Sequence, residues 1–164
     1  MVPRAGISRR CSLTANDPAL QPGFEDVDTT IDACAPHYGV YDFAATSGAA
    51  ASEHRLKTVL ARYVVGKDPV AYLDDYIAAS PLDRVNDKAP PFFVIHGERD
   101  TMVPAREARE FVRRLREVSP NPVAYAELSG AQHAFDVFPS IRSAHVVRGV
   151  ERFLEWSYLR SLAR

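Results

Sequence analysis

Two short stretches hold the residues best suited to chemistry. HGERDTMVP, residues 96–104, releases Asp100 just after the apolar run FFVI, and LSGAQHAFD, residues 128–136, carries His133. A carboxylate followed along the chain by an imidazole is what nucleophilic hydrolysis needs. The acid accepts the Nδ1 hydrogen, fixes the tautomer and stabilises the imidazolium, while Nε2 takes a proton from a hydroxyl nucleophile. Taken singly, each residue has a plainer reading: an aspartate shortly before a proline can be a helix-entry cap, and a loop histidine can be a packing or solvent-facing residue. What raises the pair is position, because each follows an apolar strand pattern and lies in a glycine-containing loop.

The elements that must position them follow from periodicity. FFVI, 92–95, is a short apolar run of the kind buried on both faces of a parallel sheet. AREAREFVRRLREVS then places Ala108, Phe111, Val112 and Leu115 on one face and Arg and Glu on the other, an amphipathic helix. PVAYAEL, 122–128, alternates as a second strand, and HVVRGVERFLEWSYL, 145–159, reads as a closing helix. Strand, helix, strand, helix predicts an α/β fold with a mostly parallel sheet flanked by helices. Ligands in such sheets gather at the carboxyl ends of the strands, so Asp100 and His133 are expected on one edge, within hydrogen-bonding reach.

Upstream, residues 12–30 read as the end of a helix and a loop, and IDACAPHYGVYDF, 31–43, as a further strand. From about 44 to 80 the pattern is a short helical insertion of two helices, lid-like in character. Leu56, Val59, Leu60 and Tyr63 mark the first, stopped by Gly66; Asp68 and Pro69 start the second, with Val70, Leu73, Tyr76 and Ile77 on its apolar face. Residues 1–11 form an atypical head, expected to be disordered, ahead of the main unit, 12–164.

Composition narrows the function classes. The 164 residues are 46% apolar and 25% charged, an ordinary globular balance, and the net charge of −1 offers no positive field for nucleic acid. No run of about 18 apolar residues predicts a membrane span, and no apolar leader follows Arg9 and Arg10, so a cytoplasmic location is expected. Cys11 and Cys34 are too few for a disulfide framework and read as small core residues. His37, His54, His96 and His145 form no i, i+4 metal pair, and no metal or cofactor is expected. His96 is expected to hydrogen-bond at the sheet edge, Asp136 to cap the final helix, Phe138 to pack, and Phe135 to pack or border the mouth of the site.

HGERDTMVP resembles the acid loop H-G-x-x-D-x-x-V-P of the α/β-hydrolase superfamily, and GAQHAF, 130–135, resembles its histidine loop. SPLDRVNDKAPPFFVIHG and TANDPALQPGFEDVDTTIDACAPHYGVYDF are similar to the bacterial esterases and lipases related to hormone-sensitive lipase. The resemblance covers about residues 12–160 and implies a partial α/β-hydrolase fold, with Asp100 as triad acid, His133 as triad base and a small acyl ester as substrate once missing residues complete the site. The family's nucleophile sits in G-x-S-x-G, with an oxyanion loop of H-G-G type upstream. Of the eight glycines here, no two stand four apart with a serine midway. In GISRR, 6–10, Ser8 follows Gly6, but Arg10 replaces the second glycine and the seven residues before Ser8 cannot supply the strand that aims a nucleophile.

The leading expectation is thus an esterase-like chain that keeps acid and base, lacks a recognisable nucleophile elbow and is inactive alone. The alternative is a non-catalytic fragment or binding protein that associates, with itself or a partner, through an exposed sheet edge around Ile31–Val40.

Overall fold

The computed structural model describes residues 13–48, 58 and 60–163, so the head at 1–11 and the start of the first insertion helix lie outside the described residues. Strand β1 (Phe92–Gly97) and strand β2 (Val123–Leu128) pair in parallel, with Phe92 opposite Val123 and Gly97 opposite Leu128. Between helix α1 (Leu73–Ala79) and the closing helix lies α2 (Ala105–Val118), the crossover that joins the two strands. The closing helix α3 (Ile141–Leu162) starts upstream of the expected 145 because Ser140 and Ser143 form a reciprocal capping box.

The segment expected as a strand over 31–43 lies parallel to β1 on the side away from β2, bridging only at Cys34–Phe92 and His37–Ile95. The Cys34 and Tyr38 amides donate to the carbonyls of Pro91 and Ile95, at 2.9 and 2.8 Å, and the Phe93 and Ile95 amides donate to Cys34 and Pro36. Only the intervening bond, from residue 36 to Phe93, is absent from this ladder, because Pro36 has no N–H. The proline thus reduces a short strand to two bridges without moving it out of register.

The core lies between the sheet and α2. Phe92 and Val94 point to the same face and meet Ala108, Phe111 and Leu115, all buried. Tyr41 stacks on Phe111 with centroids 4.3 Å apart, and Phe92 meets the same ring edge-on at 5.6 Å. Burying each such side chain stabilises the fold by about 1.5–3 kcal/mol. The other face is covered more thinly: Phe93 meets Phe153 of α3, whose Ile141, Val147, Leu159 and Leu162 are more than half exposed. Exposed large apolar side chains therefore collect on α3 rather than along Ile31–Val40, which is mostly half-buried.

Three local expectations change. Residues 13–30 contain turns and one 3₁₀ turn, Pro18–Leu20, instead of an α-helix end. In the insertion, a π-helical turn (Leu60–Val64) precedes Gly66 at φ +74°, a conformation that halts helix growth. Asp68 does cap the next turn, accepting from the Val70 and Ala71 amides, but regular helix begins only at Leu73. Val70 and Leu73 are exposed, while Tyr76 is buried against Val103, beside the acid loop.

Candidate active site

Asp100 and His133 meet where the sheet ends. β1 stops at Gly97 and β2 at Leu128, neighbours in register, so the two following loops leave the same edge. They are stitched together by backbone: Glu98 donates its amide to Leu128 and Arg99 to the Ala131 carbonyl, both at 3.0 Å. The Glu98 carboxylate accepts from the Ser129 hydroxyl at 2.9 Å and the Gly130 amide at 2.8 Å. Gly97 is required by this crossing. A Cβ there would lie 2.5 Å from the Ala131 oxygen and 2.9 Å from that of Gln132, both backbone atoms that cannot step aside singly.

His133 Nδ1 lies 2.8 Å from Asp100 Oδ2. The aspartate side chain is fully buried, whereas that of His133 is 24% exposed, so the imidazole reaches solvent over an enclosed carboxylate. Each carboxylate oxygen of Asp100 is supported twice. Oδ1 accepts the Met102 and Val103 amides at 2.9 and 2.8 Å. Oδ2 faces His133 and also His96 Nε2 at 3.3 Å. Burial pushes the Asp100 pKa up, but the hydrogen bonds from His133, His96 and the Val103 amide outweigh it and hold the carboxyl well below its ordinary range. The group is therefore an anion throughout the neutral range. Its anionic acceptor leaves Nδ1 as the donor, which assigns the proton of a neutral imidazole to Nδ1 and leaves the Nε2 lone pair to accept one. No partner for His133 Nε2 occurs among the described residues.

Asp100 is not the helix-entry cap of its plain reading. It closes a turn through Val103, but α2 begins at Ala105 behind Pro104, so the aspartate does not cap that helix. His96, expected to hydrogen-bond at the sheet edge, is fully buried near the end of β1 and donates Nε2–H to the Val103 carbonyl at 2.8 Å, fixing the acid loop from within. Asp136 does not cap α3, since Ser140 does; its carboxylate binds His37 Nδ1 at 2.6 Å and accepts the Tyr38 hydroxyl at 2.9 Å. Phe135 packs against His37 and Tyr38, while Phe138 is 79% exposed. The sequence reading missed His37 and Tyr38 as neighbours of the site. Their signal was available, because a His-Tyr pair at the end of a parallel segment must emerge on the same sheet edge as Asp100 and His133. Cys34 is half-buried against the main core, and no group of three metal-binding side chains occurs among the described residues.

A parallel sheet with an aspartate and a histidine paired in the loops after successive strands defines the α/β-hydrolase class. The BD-FAE family model matches residues 6–115, which include the acid loop, and the chain belongs to that family, among the esterases related to hormone-sensitive lipase. It is 46% identical over 152 residues to the probable carboxylic ester hydrolase LipM of Mycobacterium tuberculosis, covering 93% of this chain and 35% of LipM. To the esterase LipQ of the same organism it is 42% identical over 161 residues, covering 96% of this chain and 37% of LipQ. The chain thus spans little more than a third of the curated relatives it matches. A truncated form of a carbohydrate esterase from gut microbiota superposes with a TM-score of 0.73 at 20% identity, over 93% of this chain and 56% of that one, which shows the shared fold. No helix among the described residues is long and apolar enough to cross a membrane.

Proposed function

We propose that this chain carries the acid–base arm of a serine carboxylic ester hydrolase, with Asp100 as the acid and His133 as the general base. The observation that carries the reading is the 2.8 Å contact between His133 Nδ1 and a buried, anionic Asp100 at the carboxyl ends of neighbouring strands. In the intact reaction, Nε2 removes the proton of a serine hydroxyl as its oxygen attacks the ester carbonyl. Asp100 stabilises the resulting imidazolium, which returns the proton to the leaving alcohol. Water then repeats the sequence on the acyl-enzyme. The substrate class is a small acyl ester, and the chemistry calls for no cofactor. Helix α1 of the expected insertion lies beside this edge, with Tyr76 packed on Val103 of the acid loop.

The sequence contains no G-x-S-x-G pattern, and among the described residues no hydroxyl is bonded to His133 Nε2. Removing a single oxyanion donor typically costs about 10²- to 10³-fold in rate, and the loss of nucleophile and donors together takes turnover to background. The purified chain is therefore expected to hydrolyse short-chain activated esters only at the slow, non-saturating rate of an exposed imidazole. Saturable turnover abolished by Ser8→Ala and by His133→Ala alike would refute this and make GISRR a working elbow.

The second reading, a binding role through the sheet edge, is favoured by a groove of about 350 Å³ along residues 31–38. That segment bridges to β1 and lines the groove, where a further strand could be added. Concentration-dependent association in sedimentation, abolished by a proline at Ala35, is expected if the edge is used. A monomer at every concentration, alone and with candidate partners, would remove this reading.

A further inference from the structure

The reach of His133 is controlled by more than Asp100. A ring tied through one nitrogen can still swing about that bond, and correct tautomer and aim require a second restraint. That restraint comes from Tyr38, whose ring centroid lies 4.7 Å from that of His133 at a tilt of 56°. Tyr38 is itself pinned twice: its amide donates to the Ile95 carbonyl at 2.8 Å, and its hydroxyl donates to Asp136 Oδ1 at 2.9 Å. Its φ of +36° is uncommon for a residue with a Cβ and is retained because those contacts over-determine it.

Asp136 closes the loop of contacts. Its Oδ2 binds His37 Nδ1 at 2.6 Å, and the His37 ring stacks on Phe135 with centroids 5.9 Å apart. Residues 133, 135 and 136 of the histidine loop thus each contact His37 or Tyr38, on the segment that runs beside β1. Helix capping does not account for Asp136, because the Ser140–Ser143 box already serves α3. Burial opposes the charge on Asp136, and the bonds from His37 and Tyr38 overcome it, holding the carboxyl below its ordinary range.

We propose that Tyr38 and Asp136 are positioning residues for His133: Asp136 anchors the Tyr38 hydroxyl, and the anchored ring holds the imidazole in the Nδ1–H tautomer facing Asp100. This rests on the reading of His133 as the base paired with Asp100, and it adds a second wall to that base. Tyr38→Phe removes one hydroxyl and no charge, whereas Asp136→Leu removes the acceptor of that hydroxyl and keeps a similar volume. An effect common to both is therefore mechanical rather than electrostatic.

The test is the histidine tautomer read from long-range ¹H–¹⁵N spectra of the labelled full chain at about pH 8, above the ordinary histidine titration. In the native chain His133 should be Nδ1–H, opposite to the preference of a free imidazole. In Tyr38→Phe and in Asp136→Leu the single-tautomer signature should be lost, with Nε2–H becoming the larger share. His96, whose Nε2–H is fixed by the Val103 carbonyl, should keep its signature in all three proteins. A native chain with His133 as Nε2–H would overturn the Asp100 pairing and this inference with it. A native Nδ1–H signature that persists in both variants but is lost in Asp100→Asn would overturn the positioning role alone. A change in His96 parallel to that in His133 would mark a fold-wide effect and overturn it equally.

Discussion

Glu107, in the first turn of α2, is a carboxylate where a carboxylate is costly. It is 1% exposed; Oε2 accepts the Tyr41 and Asp42 amides at 3.2 and 3.4 Å, and Oε1 has no partner among the described residues. Burial pushes its pKa up, the two amides pull it down and the nearby Asp42 pushes it up again, so that it rises from 4.5 to about 7. The folded chain therefore binds this proton more tightly than the unfolded chain does. The group's full contribution to stability is present below the unfolded value near 4.5 and is lost as pH rises through about 7. At about 1.4 kcal/mol per pH unit, the loss between pH 5 and 8 is roughly 3 kcal/mol. Glu107→Gln mimics the protonated form, since its amide oxygen can still accept both amides. Near pH 5 its stability should lie within about 1 kcal/mol of the native chain, the amide nitrogen being as poorly partnered as the carboxyl it replaces. Near pH 8 the variant should be the more stable by about 2–3 kcal/mol. Urea unfolding followed by circular dichroism at several pH values provides the comparison, and histidine titrations common to both proteins cancel in the difference. Parallel stability profiles for the two would refute the argument, because they would mean that Glu107 is ionised at no cost.

Two further substitutions probe the frame of the site. Gly97→Ala drives a methyl into the Ala131 and Gln132 carbonyls and should cost about 1–3 kcal/mol in urea unfolding while loosening the His133–Asp100 contact in the tautomer spectrum; an unchanged midpoint would contradict the close crossing. Asp100→Asn removes a buried anion held by His133, His96 and two amides and should cost about 2–3 kcal/mol near neutrality. Because the native pKa is depressed, that contribution is present above the unfolded value near 3.8 and is lost as pH falls, so the gap between the two proteins should narrow in acid; a gap independent of pH would count against an ionised Asp100.

What could be read from the sequence was local and periodic. FFVI and the stripe Ala108, Phe111, Val112 and Leu115 dictate a buried strand and the helix that covers it, and both appear in place. The Asp100–His133 contact followed from topology alone, since consecutive parallel strands must release their loops on one edge. Less legible were features in which a single atom outweighs a pattern. Pro36 lacks one hydrogen and thereby breaks a ladder that the apolar run predicted as continuous. Asp136 stands three residues past the histidine, a spacing compatible with capping, yet partners 98 and 99 residues earlier in the chain claim its carboxylate. Local spacing cannot reveal such long-range partners.

The same contrast explains why the acid loop is rigid while its surroundings are thinly covered. Asp100 receives two amides and two imidazoles, Gly97 admits the neighbouring loop to contact distance, and Glu98 ties that loop back through Gly130. Every one of these constraints is supplied by residues 96–133, a span whose two strands and crossover helix form one packed unit. By contrast, α3 meets the opposite face chiefly through Phe93 and Phe153 and leaves much of its apolar surface in solvent. The geometry of Asp100 and His133 is therefore set by a compact strand–helix–strand unit together with the Tyr38–Asp136 contact, and does not depend on how the outer face of α3 is covered. The contact between Asp100 and His133 thus forms within the described residues, and for that reason the tautomer of His133, rather than turnover, is the measurement that reports on it.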